Sequence, residues 1–129
     1  MTLRLFIRIA FLSLVSLSAS PALHSEEFAT SEKAKIEALI TRLGGLTDAT
    51  FIRNGSDYDS ITAAKFLRGK WQAHEKEIKT ASDFIAKAAT RSSTSGKPYL
   101  IRLKGAAAVP CADYLTAQLK ELETGAQTR

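Results

Sequence analysis

Two short β-prone runs, "TFIR" (50–53) and "YLIRL" (99–103), most constrain what this chain can fold into. A strand without a neighbour leaves its backbone donors and acceptors unpaired, so each run needs a partner. The natural partner of each is the other, although residues 54–98 lie between them. Those intervening residues read mostly as helix. The expected architecture is therefore α+β: a mostly helical single domain of about four helices, with the two short strands pairing across the chain.

Apolar spacing supplies the helices. Ile36, Leu39, Ile40 and Leu43 recur at helical intervals after Thr30 or Ser31, a capping pair, which predicts a helix over about 31–43. Gly44-Gly45 is expected to end it with a left-handed residue. Asn54-Gly55 is a strong turn signal after the first strand. Ser56 and Asp59 form a Ser-x-x-acid opening for a long helix over about 57–78, with Ala63, Ala64, Leu67, Trp71, His74 and Ile78 on one face. Thr80 and Asp83 repeat the pattern before Phe84, Ile85 and Ala88. Cys111, Leu115, Leu119 and Leu122 line a last helix.

The first 22 residues read differently. Arg4 and Arg8 precede an apolar core from Phe11 to Leu17, then small residues, with no acid anywhere. That is the layout of a secretory signal peptide, cut after Ala22 or after Ser20. The core is too short to span a bilayer, which takes about 20 apolar residues. The expected product is one domain over 23–129, with its core at about 31–123, exported to the periplasm with no membrane span. Cleavage removes two arginines and no acid, so the formal net charge falls from +5 to +3. A charge of that size, spread along the chain, favours contact with anionic envelope polymers and gives no footprint for nucleic acid. Cys111 is the sole cysteine, so no internal disulfide can form. The expected state is a monomer.

No complete catalytic set emerges. "RSSTSGKP" (91–98) has a Gly-Lys pair, but Arg91 stands where a phosphate-cradling loop needs its first glycine, and Pro98 where it needs a hydroxyl. Thr94 and Lys97 have Ser-x-x-Lys spacing, yet Gly96 and Pro98 oppose the helix that arrangement requires. The segment reads as a polar turn with Gly96 at positive φ. A hydrolase using Ser93, Thr94 or Ser95 with Lys97 is the alternative reading. "HEKEI" (74–78) has Ile78 where a zinc helix needs its second histidine, and His24 is remote, so no metal or cofactor is expected. What remains is basic and aromatic. Arg53, Asn54, Arg68, Lys70, Lys97, Tyr99 and Arg102 can gather on one surface if the strands pair, and arginines there suit carboxylates or phosphates. The function that fits is non-enzymatic binding of an anionic envelope component or of a protein.

"FIRNGSDY" (51–58), "AAKFLRGKW" (63–71) and "TASDFIAKAATRSSTSGKPYLI" (80–101), in that order behind a signal-like segment, resemble the YfeK-like proteins of proteobacteria. The likeness covers about residues 31–103, weaker in the last helix. It implies a small exported protein of a family with no assigned activity, and so carries over no catalytic residue. Members commonly have histidine where this chain has Phe66, so a mechanism needing that imidazole would be absent here.

Overall fold

The computed structural model describes residues 21–127, so the signal segment lies, except for Pro21 and Ala22, outside the described residues. The first helix, α1, runs Pro21–Gly44 and starts ten residues before the expected cap. Proline suits the first helical position, and no glycine or second proline follows until Gly44, so nothing stops the helix from running through Thr30 and Ser31. Its expected stripe is confirmed: Ile36, Leu39, Ile40 and Leu43 are all buried. The reading of Gly44-Gly45 as a left-handed stop is corrected, because neither glycine has a positive φ. Gly44 instead permits close approach, since a Cβ there would lie 3.0 Å from Ala64 Cβ on the neighbouring helix.

The expected strand pairing forms. β1 (Thr50–Arg53) and β3 (Leu100–Arg102) are antiparallel, with Phe51 opposite Ile101 and Thr50 opposite Arg102. Two further strands complete a sheet of order β2-β1-β3-β4. β2 (Ser56–Tyr58) returns from β1 through Asn54-Gly55, whose φ values of 52° and 77° make a two-residue turn of the twist that hairpins favour. β4 (Val109–Pro110) pairs with β3.

The hairpin displaces the start expected for the long helix. Ser56 is spent on β2, and α2 spans Ser60–Ala73, capped by Asp59, whose carboxylate accepts from Thr62 N at 2.7 Å. The helix stops at Ala73 with His74 as its C-cap, short of the expected 78. Ile78 is buried, as its place in the stripe implied, but it reaches the core from the turn beyond the helix, and His74 is exposed. α3 (Ala81–Ala88) opens on the predicted capping box: Thr80 Oγ1 accepts from Asp83 N at 3.0 Å, and Asp83 Oδ2 accepts from Thr80 N at 3.2 Å.

Glu32 on α1 also reaches that helix start. Its carboxylate accepts from Ala81 N and from Lys35 Nζ, each at 2.8 Å. Burial alone would push this carboxyl group up, but the two hydrogen bonds outweigh it and hold Glu32 below the usual range. α4 (Cys111–Gln127) buries Cys111, Leu115 and Leu119 as expected. The core gathers these residues with the α1 stripe, Phe51, Leu67, Phe84, Tyr99 and Ile101. Among the described residues, no helix is long and apolar enough to cross a membrane.

Candidate functional site

Side chains alternate across a strand, so Phe51 and Arg53 share one face of β1. The register puts Tyr58 and Ile101, both opposite Phe51, on that face too. α2 lies over it and contributes Thr62, Phe66 and Lys70, one helical turn apart on a single side. Phe51, Phe66 and Tyr99 form a three-ring cluster. Their centroids lie 6.4 Å (Phe51–Phe66), 5.4 Å (Phe51–Tyr99) and 5.6 Å (Phe66–Tyr99) apart, the last pair edge-on at 89°.

Two cations sit on these rings. Arg53 Cζ lies 4.1 Å from the Phe66 centroid, a stacking worth about 0.5–2 kcal/mol depending on solvation. Lys70 Nζ lies 4.9 Å from the Tyr99 centroid and donates to Tyr99 Oη and to the Arg91 carbonyl, each at 3.1 Å. Neither cation meets a carboxylate among the described residues. Arg53 Nε is buried and has no hydrogen-bond partner among the described residues. Beside it, Phe51, Arg53, Tyr58, Thr62, Ala63 and Phe66 line a recess of about 50 Å³. That is room for a few waters or for one small polar group.

The segment 91–98 borders this face. Tyr99 N donates to Thr90 O and Ser92 N to Lys97 O, so the chain folds back on itself, and Gly96 takes φ 69° as expected. Ser92 is buried; its hydroxyl accepts weakly from Thr94 N and Ser95 N and bonds Thr94 Oγ1 at 3.0 Å. Ser95 donates to Asn54 Oδ1 in a close contact and accepts from Lys97 N. These hydroxyls brace the turn and tie it to the β1–β2 hairpin. The side chains of Arg91 and Lys97 are exposed and make no ion pair to described residues.

Of the seven residues picked out in the sequence, Arg53, Lys70 and Tyr99 therefore converge around Phe66, with Asn54 and Lys97 on the adjoining turns. Tyr99 joins as a buried ring, only 1% exposed, and its hydroxyl is held by Lys70. Arg68 and Arg102 lie elsewhere. Arg68 Nη1 sits between both oxygens of Glu37 on α1, at 2.6 and 2.7 Å. Arg102 faces Thr50 across the sheet, one residue out of phase with Phe51. It thus occupies the opposite face, where it meets Asp57 at 3.3 Å. Phe66 and Tyr58 escaped the sequence reading as site residues. Their signal is spacing: Phe66 is four before Lys70, and Tyr58 falls opposite Phe51 once the hairpin register is set.

A profile of the family of unknown function DUF5329 matches residues 30–123 of this chain. The uncharacterized protein YfeK of Salmonella typhimurium is 41% identical over 68 residues, which cover 53% of this chain and 57% of that protein. The match thus spans little more than half of the curated relative. No solved structure matches the chain.

Proposed function

The chain belongs to the DUF5329 family of unknown function, and from that premise we propose that it is a non-enzymatic, exported binding protein that captures an anionic group of the cell envelope on Arg53. The observation that carries this reading is the buried Arg53 Nε without a partner, beside a recess that holds no acid. A buried donor left unpaired costs about 1–3 kcal/mol, which a carboxylate or phosphate oxygen would recover through a charge-assisted hydrogen bond. The recess, of about 50 Å³, admits only the head of such a ligand, so its remainder would lie outside.

The distribution of ion pairs supports the same reading. Lys33, Lys35, Arg42, Arg68, Arg102 and Lys104 each lie within 4.0 Å of an acid. Arg53 and Lys70 on this face, and Arg91 and Lys97 on the loop that borders it, lie within 4.0 Å of no described acid; Lys65, Lys76, Lys79, Lys87 and Lys120 share that trait elsewhere, whereas four such cations collect here. Export rests on the signal-like layout of residues 1–22. Mass spectrometry of the periplasmic form is expected to find Leu23 or Pro21 as its first residue; an intact Met1 would remove the periplasm from the proposal.

The binding claim is tested by co-sedimentation of the purified protein with peptidoglycan sacculi and with lipopolysaccharide aggregates. Retention is expected at low salt, weakening as screening increases, and about tenfold weaker in Arg53→Gln, the loss of one charge-assisted contact. No retention at low salt, or equal retention of Arg53→Gln, would sink the assignment to Arg53.

A further inference from the structure

A second concavity lies on another side of α2, independent of the Arg53 recess. Trp71, Gln72 and Glu75 line it from α2 and the turn that follows, Lys33 and Glu37 from α1, and its volume is about 250 Å³. Gln72 and Glu75 also border an adjoining recess of about 350 Å³ along the turn 73–77. Small-ligand sites run from about 300 to 1,000 Å³, so the two lobes together suit a short chain of rings.

The lining has a distinct chemistry. Trp71 is half-buried and held edge-on against Phe84, with centroids 6.4 Å apart at 71°. Its indole N–H makes no hydrogen bond to a described residue, which leaves the ring as a fixed apolar surface with a free donor at its edge. The charged groups of the rim are paired with opposite charges. Lys33 Nζ lies 3.7 Å from Glu75, and Arg68 holds Glu37 from outside the groove. An ionic ligand therefore gains little net field here, in contrast to the Arg53 face. What the groove offers is one aromatic plane ringed by carboxylate and amide acceptors and by ammonium, amide and indole donors.

That combination matches a neutral sugar. A pyranose carries a C–H face that packs on an aromatic ring and a perimeter of hydroxyls, each both donor and acceptor. We propose that the groove between α1 and α2 is a saccharide subsite, which seats an uncharged ring against Trp71 with hydroxyls on Glu37, Gln72 and Glu75. A second ring continues past Gln72 into the adjoining recess.

Trp71 is the sole tryptophan of the chain, so its fluorescence reads the site directly. The purified protein is titrated with chitotriose, maltotriose and cellotriose. The expected result is a saturable shift of Trp71 emission with at least one of them, and a fall in affinity of about fivefold in Gln72→Ala, the loss of one neutral hydrogen bond. Arg53→Gln should leave the titration unchanged, which separates this outcome from that of the anion site. Circular dichroism of Gln72→Ala matching the parent shows that the fold persists, as expected for an exposed side chain. No shift with any of the three sugars at about 10 mM, tenfold above a Kd of about 1 mM, overturns the proposal. So does a shift that Gln72→Ala and Glu75→Gln both leave untouched.

Discussion

Replacing Glu32 by alanine strikes two helices at once. The carboxylate accepts the Ala81 N–H at the start of α3, and Ala81 is only 1% exposed, so that donor depends on Glu32 in the native protein. Leaving it unsatisfied costs about 1–3 kcal/mol. The same change frees Lys35, whose bond to Glu32 raises its pKa. Lys35 keeps substantial solvent contact and lies 3.6 Å from Glu123, so this part is worth about 1 kcal/mol or less. The expected loss for Glu32→Ala is thus about 1–4 kcal/mol. Glu32→Gln keeps a carbonyl oxygen for Ala81 and gives up only the charge, so it should lose about 1 kcal/mol. Urea unfolding measures both as falls in the midpoint at unchanged slope. The pH dependence has a defined sign. Glu32 titrates lower in the folded protein than in the unfolded chain, so its contribution is present above the unfolded value of about 4.3 and fades as pH falls through the folded one. Equal losses in the alanine and glutamine variants would refute the reasoning, because the Ala81 N–H could not then be what Glu32 serves.

Three further outcomes are expected. Burial pushes the Cys111 thiol up to about 12, so native protein should resist thiol reagents at neutral pH, and stability should fall as pH rises from about 8.5, the unfolded value, towards about 12. A flat alkaline profile, or one that Cys111→Ala leaves unaltered, would count against that thiol as the cause. Gly96→Ala should cost about 1 kcal/mol through backbone strain at φ 69°, since a Cβ there would touch nothing within 4 Å, and thermal unfolding at parent stability would contradict this. A fluorophosphonate probe should leave the protein unlabelled; labelling that disappears in Lys97→Ala would restore the hydrolase reading of Ser93, Thr94 or Ser95.

Much of the scaffold was legible because its signals are local and redundant. The α1 stripe, the Thr80–Asp83 box and the cysteine-leucine face of α4 each combine spacing with burial. The pairing of 50–53 with 100–102 followed from the scarcity of alternatives. β2 was hidden because Ser56 and Asp57 have little strand preference and Tyr58 alone favours a strand; the Asn54-Gly55 turn and the β1 edge place them there. That unseen hairpin then moved the start of α2 from 57 to 60. The site was half legible for the same reason. Charge and ring type picked out Arg53, Lys70 and Tyr99, but which face each occupies is a matter of register. Register also sends Arg102 to the far side of the sheet and brings Tyr58 beside Arg53.

The sheet also has a consequence in time. Its central pair joins β1 to β3, so β1 has no central partner until α2, α3 and the loop 91–98 have all left the ribosome. Pairings of such separation form late, because loop closure must precede any gain from contact. A channel that threads its cargo needs the chain unfolded, and the proposed export through such a channel would share that need. Late closure of the sheet would keep the nascent chain threadable until it reaches the compartment where it is to fold.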